Sequence, residues 1–411
     1  MQCTLGPEFR NDPDAAEAEA ILRQCVHCGF CTATCPTYLL LGDELDGPRG
    51  RIYLMKQVME GVAPTRSTQQ HLDRCLTCRN CESTCPSGVQ YGRLLDIGRR
   101  VVDAQVPRPL QEKVVRWTLK EGLNSRAFGP ALAAGRAVRG ALPAALRDKV
   151  RPAAAAGAWP TRTHARKVLL LAGCVQPAMM PNVNAATARV LDAAGIQTLL
   201  AKDAGCCGGV KFHLNDQAGG LAQMRALIDA WWPLIEGSDV EAIVMNASGC
   251  GVTVREYGHL LRHDAAYAAK AQRVSDMTRD LGEYLDELAQ ALQGRVRPPA
   301  GTIAYHPPCT LQHGQRRRGE VEQGLRALGF ELRVANEESH LCCGSAGTYS
   351  VLQPEIAGAL RERKLGHLQA LAPVEIVSAN VGCISHLQAG AGDTPVRHWV
   401  ELLDAALAPA G

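Results

Sequence analysis

KVLLLAGC at 167–174, DAGCCGG at 203–209 and EAIVMNASGCG at 241–251 are echoed downstream by GTIAYHPPC at 301–309, HLCCGSAG at 340–347 and EIVSANVGC at 375–383. Matching cysteines are displaced by 135 residues (Cys174 to Cys309), 136 (Cys206 to Cys342) and 133 (Cys250 to Cys383), and an offset this steady implies a duplicated domain. Each copy opens with a short apolar or β-branched run, continues into a helical stretch such as NAATARVLDAAG at 184–195, and returns to another buried strand. Strands alternating with helices predict a small parallel α/β sheet in each copy. The cysteines fall just after a strand or in a Gly-rich turn. Those are the carboxyl ends of the strands, where open α/β sheets place ligands.

Upstream, CVHCGFCTATCP at 25–36 recurs as CLTCRNCESTCP at 75–86. Both obey Cys-x2-Cys-x2-Cys-x3-Cys-Pro, the spacing in which three thiolates wrap one face of a [4Fe–4S] cubane while the fourth reaches the other cluster. One cluster is therefore expected on Cys25, Cys28, Cys31 and Cys85, and the other on Cys75, Cys78, Cys81 and Cys35. Soft sulfur suits iron–sulfur chemistry; structural zinc, the competing use of Cys-x2-Cys, does not require four thiolates in so tight a run, twice. Two clusters in one small domain make a one-electron relay. The segment between them, GPRGRIYLMKQVMEG at 47–61, places Ile52, Met55, Val58 and Met59 at helical spacing, bracketed by Gly50 and Gly61. Residues 15–23 are also rich in helix formers, with Asp14 placed to cap them.

These readings divide the chain into a mostly helical ferredoxin-type domain at 1–125, a basic Ala/Arg/Pro-rich linker or surface helix at 126–166, and two duplicated small α/β domains with parallel sheets at 167–295 and 296–411. From Arg126 to Lys167 there are nine basic residues against one acid, Asp148. Val138, Leu142, Leu146 and Val150 would share a helical face there unless Pro143 breaks it, offering basic residues to anionic headgroups; a solvated linker is the plainer reading.

Of seventeen cysteines only Cys3 stands outside the four patterns, which in a reducing compartment means metal or catalysis rather than disulfides. The acidic, polar first 24 residues lack the features of a secretory signal and no apolar run is long enough to span a bilayer, so a cytoplasmic protein is expected. A net charge of +3 with 4% aromatic residues gives no reason to expect nucleic-acid binding. No G-x-S-x-G, G-x-G-x-x-G or phosphate-loop pattern occurs, so neither FAD nor NAD is expected on this chain, and something else must handle the organic substrate.

The duplicated quartets read less plainly. Cys309, Cys342, Cys343 and Cys383 form a candidate further metal site, and Cys174, Cys206, Cys207 and Cys250 a weaker one. Reactive thiols and inherited structural cysteines are the alternatives. His306, His313, His340 and His386 lie near the second quartet; the first has His213, with His259 and His263 further off.

CVHCGFCTATCPTYLLLGDELDGPRGRIYLMKQV at 25–58, HLDRCLTCRNCESTCPSGV at 71–89, NAATARVLD at 184–192 and SHLCCGSAGTY at 339–349 together resemble the iron–sulfur subunits of bacterial glycolate oxidase, also called glycolate dehydrogenase. The resemblance covers nearly the whole chain, and residues 42–51 and the Cys-Cys-Gly repeats are its most selective parts. It implies FAD-binding partner subunits that oxidise glycolate to glyoxylate, electrons passed towards a membrane quinone, and a peripheral position on the cytoplasmic face of the inner membrane. The repeats also look like those of the heterodisulfide reductase catalytic subunit, whose motif closes with Cys-x-x-Cys. Here Thr253 and His386 take the closing positions, which argues against a self-contained disulfide reductase. Iron–sulfur subunits of lactate or glycerol-3-phosphate dehydrogenases are the remaining rivals.

Overall fold

The computed structural model describes residues 1–141, 155–237 and 239–408. In the first repeat, β1 (Arg166–Leu170), β2 (Ile196–Leu199), β3 (Val240–Met245) and β4 (Thr278–Asp280) form a wholly parallel sheet in the order β2-β1-β3-β4. The second repeats it with β5 (Ile303–His306), β6 (Leu332–Val334), β7 (Glu375–Ser378) and β8 (Val396–His398), in the order β6-β5-β7-β8. The duplication read from cysteine offsets is thus one topology used twice. Helix starts repeat too. Asp280 and His398 each end the last strand and serve as N-cap of the helix that follows, with Glu283 and Glu401 closing the box three residues on.

Strand periodicity sorts the side chains by face. Val168 and Leu170 point into a core shared with Ile303, Tyr305 and Val377 of the other repeat. Leu169 and Leu171 point the opposite way, onto Met224, Ile228 and Trp231. The boundary drawn at 295/296 therefore divides the chain but not the core. The helix at Pro181–Ala193 packs on the one at Trp399–Ala406, and the helix at Leu285–Ala291 on the one at Glu320–Ala327. His398 crosses the seam as well, its Nε2 donating to the Asn246 carbonyl at 2.9 Å while its Nδ1 accepts from Val400 N.

The N-terminal domain is helical, with Ala15, Ala18, Leu22, Met55, Met59, Leu72, Leu94 and Leu95 in one buried cluster. Two local expectations shift. The first long helix runs Pro13–Gln24, and Asp12 rather than Asp14 caps it, accepting from Asp14 N at 2.9 Å. The helix expected to begin at Gly50 begins at Pro48, whose missing N–H costs nothing in a first turn, and ends at Met59. Gly50 lies inside it for another reason: a Cβ there would sit 2.1 Å from the Glu44 carbonyl oxygen. Gly50→Ala must push the 44–46 turn away, and an overpacking cost of about 1–3 kcal/mol or more is expected, read as a fall in the thermal unfolding midpoint.

Between the domains, the helix Leu110–Gly122 buries no side chain; Leu110, Val114 and Trp117 are exposed along one side of it. The helix Phe128–Ala137 docks on the short helix Gln176–Met179 of the first repeat, with Arg136 donating to the Ala178 carbonyl. Of the helical face expected from Val138 to Val150, Val138 is exposed, and Leu142, Pro143, Leu146 and Val150 lie outside the described residues.

Candidate metal centres

Cys25, Cys28, Cys31 and Cys85 line one small cavity in the N-terminal domain, with Cys81 on its inner wall. Cys35 lies outside that cavity, near Cys78 and Cys81, whose thiols are pushed up first by burial and then by neighbouring sulfurs, those of Cys75 and Cys35 among them. The two loops share a backbone device. At the second and fourth residues after the leading cysteine, φ is positive: 57° at His27 and 84° at Gly29, 54° at Thr77 and 60° at Arg79. Glycine adopts this freely, whereas a β-branched threonine does so only under constraint, here from the fold of the loop around its thiols. The turned backbone aims N–H groups inward, and Thr77 N lies 3.4 Å from Cys75 Sγ.

The two sites differ in exposure. Cys28 is exposed and Cys31 and Cys85 are half-buried, while Cys35, Cys75, Cys78 and Cys81 are all buried. Burial, then the neighbouring Cys25, pushes the Cys31 thiol up to about 11. Thiols crowded in this way ionise together only around a cation, which fits the donor set to a metal cluster.

Behind the inner site lies a buried ionic network that the spacing argument missed. Arg51, 1% exposed, donates to the His71 carbonyl at 2.7 Å, to Thr37 Oγ1 at 3.1 Å and to Asp46 Oδ1 at 3.3 Å. Thr37 Oγ1 in turn donates to the Asp46 carbonyl at 2.7 Å and lies 3.3 Å from Cys35 Sγ. Arg74 completes the set on Asp46 Oδ2 at 2.8 Å. Asp43, Asp46 and His71 also approach within 4.8 Å of one another, but the two guanidiniums already neutralise Asp46. The stretch at 42–51 that made the sequence selective is thus the support of the Cys35 loop.

Each quartet of the repeats converges at its strand ends. Cys174, Cys206, Cys207 and Cys250 form a continuous chain of thiol contacts, and so do Cys309, Cys342, Cys343 and Cys383, with 3.7 Å between Cys309 and Cys342 Sγ. The second quartet is wholly buried; in the first, Cys174 and Cys250 are half-exposed. Cys78 shares an apolar cluster with Cys309 and Cys342, so the inner N-terminal site abuts the second quartet. Tyr349 clamps the junction by donating to the Arg74 carbonyl at 2.9 Å, and Ser83 Oγ lies 2.8 Å from His313 Nδ1. A cavity of about 1360 Å³ opens between the repeats and the N-terminal domain, reached by thiols of both quartets.

The nearby histidines separate by role. His313 and His340 belong to the domain junction, His386 donates to the Ala357 carbonyl at 3.0 Å, His213 pairs with Asp96 and His259 with Glu17. Among the described residues, His306 is the one histidine grouped with two thiols, those of Cys343 and Cys383, all three donor atoms lying within 4.8 Å of one another. Burial and the nearby Lys364 hold its ring neutral.

A helical domain carrying two four-thiol loops, joined to a twofold-repeated sheet with cysteines at its strand ends, defines the class. The family model of the 4Fe-4S dicluster domain matches residues 21–89, and that of the cysteine-rich domain matches 168–255 and 303–388. The chain is 54% identical over 410 residues, 99% of each protein, to the glycolate oxidase iron-sulfur subunit of Escherichia coli. It is 30% identical to the probable glycolate oxidase iron-sulfur subunit of Bacillus subtilis, over 96% of this chain and 95% of that protein. Lactate utilization protein A of Geobacillus thermodenitrificans matches 58% of this chain, and 98% of its own length, at 26% identity. The chain belongs to the family of glycolate oxidase iron–sulfur subunits.

Proposed function

We propose that this chain is the electron-transfer subunit of a glycolate oxidase complex, taking electrons from FAD-binding subunits that oxidise glycolate to glyoxylate and passing them towards a membrane quinone. One observation carries the reading: the buried site at Cys78 abuts the quartet at Cys309, while the other four-thiol loop of the same domain is exposed at Cys28. [4Fe–4S] clusters supply one-electron oxidation and reduction when bound there. Cys25, Cys28, Cys31 and Cys85 would hold the outer one, and Cys75, Cys78, Cys81 and Cys35 the inner. The exposed Val26 and Phe30 flank the outer loop and mark it as the face for the flavin partner.

Cys309, Cys342, Cys343 and Cys383 would hold a further iron–sulfur centre, favoured over the first quartet by complete burial and contact with Cys78. Catalysis on the organic acid belongs to the partner. Among the described residues no helix is long and apolar enough to cross a membrane. The exposed Leu110, Val114 and Trp117, one turn apart on a helix that buries nothing, support peripheral attachment through this segment on the cytoplasmic face.

The test is reduction of the anaerobically purified chain by its copurifying flavin subunits, followed by EPR. Glycolate should reduce the clusters. Reduction by lactate and not glycolate would transfer the chain to the lactate system, and disulfide turnover by the isolated chain would replace the relay with a thiol enzyme. Iron analysis should give about twelve irons per chain, falling to about eight in Cys309→Ser/Cys343→Ser; about eight in both would confine the clusters to the N-terminal domain.

A further inference from the structure

The repeats have one topology but differ at a position that neither the thiol motif nor the comparisons single out. His306 ends β5, three residues before Cys309. The corresponding residue of the other repeat, three before Cys174 and one past the end of β1, is Leu171. Both side chains are buried, Leu171 in an apolar cluster and His306 at 1% exposure. An imidazole in a leucine's place has to be justified by its nitrogens.

Neither nitrogen of His306 has a hydrogen-bond partner among the described residues. Leaving a buried polar group unmet costs about 1–3 kcal/mol, and the fold keeps the residue nonetheless. It does not lack a neighbour of another kind: a ring nitrogen and the sulfurs of Cys343 and Cys383 all lie within 4.8 Å of one another. Metal–nitrogen and metal–sulfur bonds of about 2.0–2.3 Å bring donors on a common metal atom to within about 4.6 Å of one another, which this group reaches with small side-chain movements.

The position is well held. β5 is the inner strand, hydrogen-bonded to both β6 and β7, and Ser378 Oγ donates to the His306 carbonyl at 2.8 Å. Pro307 and Pro308 then restrict the chain on its way to Cys309. The competing donor is turned away, because His386, in the motif's closing position, spends its Nε2 on the Ala357 carbonyl.

We infer that His306 is a nitrogen ligand of the metal centre in the second repeat, completing with Cys309, Cys342, Cys343 and Cys383 a mixed imidazole–thiolate site for which the first repeat, with Leu171, has no equivalent. The inference rests on the reading that the second quartet holds iron. A neutral imidazole adds no negative charge, so the centre gains an electron more readily than it would with a fifth thiolate at this point, as replacement of cysteine by histidine does in other iron–sulfur centres.

Pulsed EPR of the reduced protein grown on ¹⁵N-histidine tests this without any substitution, the N-terminal signals being identified from Cys309→Ser/Cys343→Ser. A directly bonded ¹⁵N coupling is expected on the third signal and should vanish in His306→Leu, a residue that the first repeat already accommodates at this point. His306→Cys should retain the iron and lower that centre's potential. A third signal without nitrogen coupling, or with coupling that survives in His306→Leu, overturns the assignment of His306 and leaves the third centre standing. If the wild-type protein has about eight irons and lacks the third signal, the underlying reading fails, and the inference with it.

Discussion

Cys85→Ala is expected to remove the same EPR signal as Cys28→Ala, and Cys35→Ala the same signal as Cys78→Ala, each variant losing about four irons. The pairing is the point of the experiment. Along the chain Cys85 belongs with Cys81, four residues before it, and an uncrossed arrangement would make it fail together with Cys78. In space it lies with Cys25, Cys28 and Cys31 around the outer cavity, while Cys35 lies with the inner thiols. The variants should also differ in consequence. Losing the outer site removes the station nearest the surface, so glycolate and flavin subunits should no longer reduce the inner cluster although dithionite still does. Losing the inner site should leave the outer cluster reducible by glycolate and stop electrons short of the second quartet. Spectra showing that Cys85→Ala and Cys78→Ala lose the same signal would exclude the crossed arrangement.

Arg51→Met is expected to cost about 3–5 kcal/mol and to deprive the chain of its inner cluster, because removing one partner of a buried ion pair strands the other. Asp46, with no exposed surface, would keep Arg74 but lose the guanidinium that joins it to Thr37 and the His71 carbonyl. Thr37 then no longer holds the loop beside Cys35. Arg51→Lys should rescue little, since an ammonium cannot span the three acceptors that the planar fork reaches. Iron content and the thermal midpoint of the as-purified protein measure both effects. A variant with full iron and a midpoint within about 1 °C of wild type would show that the network is dispensable, a shift of that size being about 1 kcal/mol or less for a chain this long.

The loops and the sheets were legible for a common reason: each is specified by residues close together in the chain. Cysteines three and four apart determine which thiols can share a face of a cluster, and the strand period decides which residues enter a core. The repeat offset carried the same local logic across the whole C-terminal half. Where local signals competed, boundaries moved by a turn or less, as when Pro48 and Asp12 took the helix starts expected at Gly50 and Asp14.

By itself, then, the sequence determined that there are two four-thiol loops, two copies of one parallel sheet, and cysteines gathered at the strand ends. Only the tertiary structure decided that the repeats share a core, that the inner N-terminal site abuts the second quartet and not the first, and that Arg51 supports the Cys35 loop. It also decided which of the histidines near the cysteines reaches sulfur. His306, His313 and His386 look alike in sequence, each a few residues from a cysteine, and differ only in what other segments place around them: two thiols, a serine of the N-terminal domain, a helix carbonyl. Such partners lie tens to hundreds of residues away, at separations where the chain carries no periodic signal, so they are set by how the elements pack and not by the spacing within any one of them.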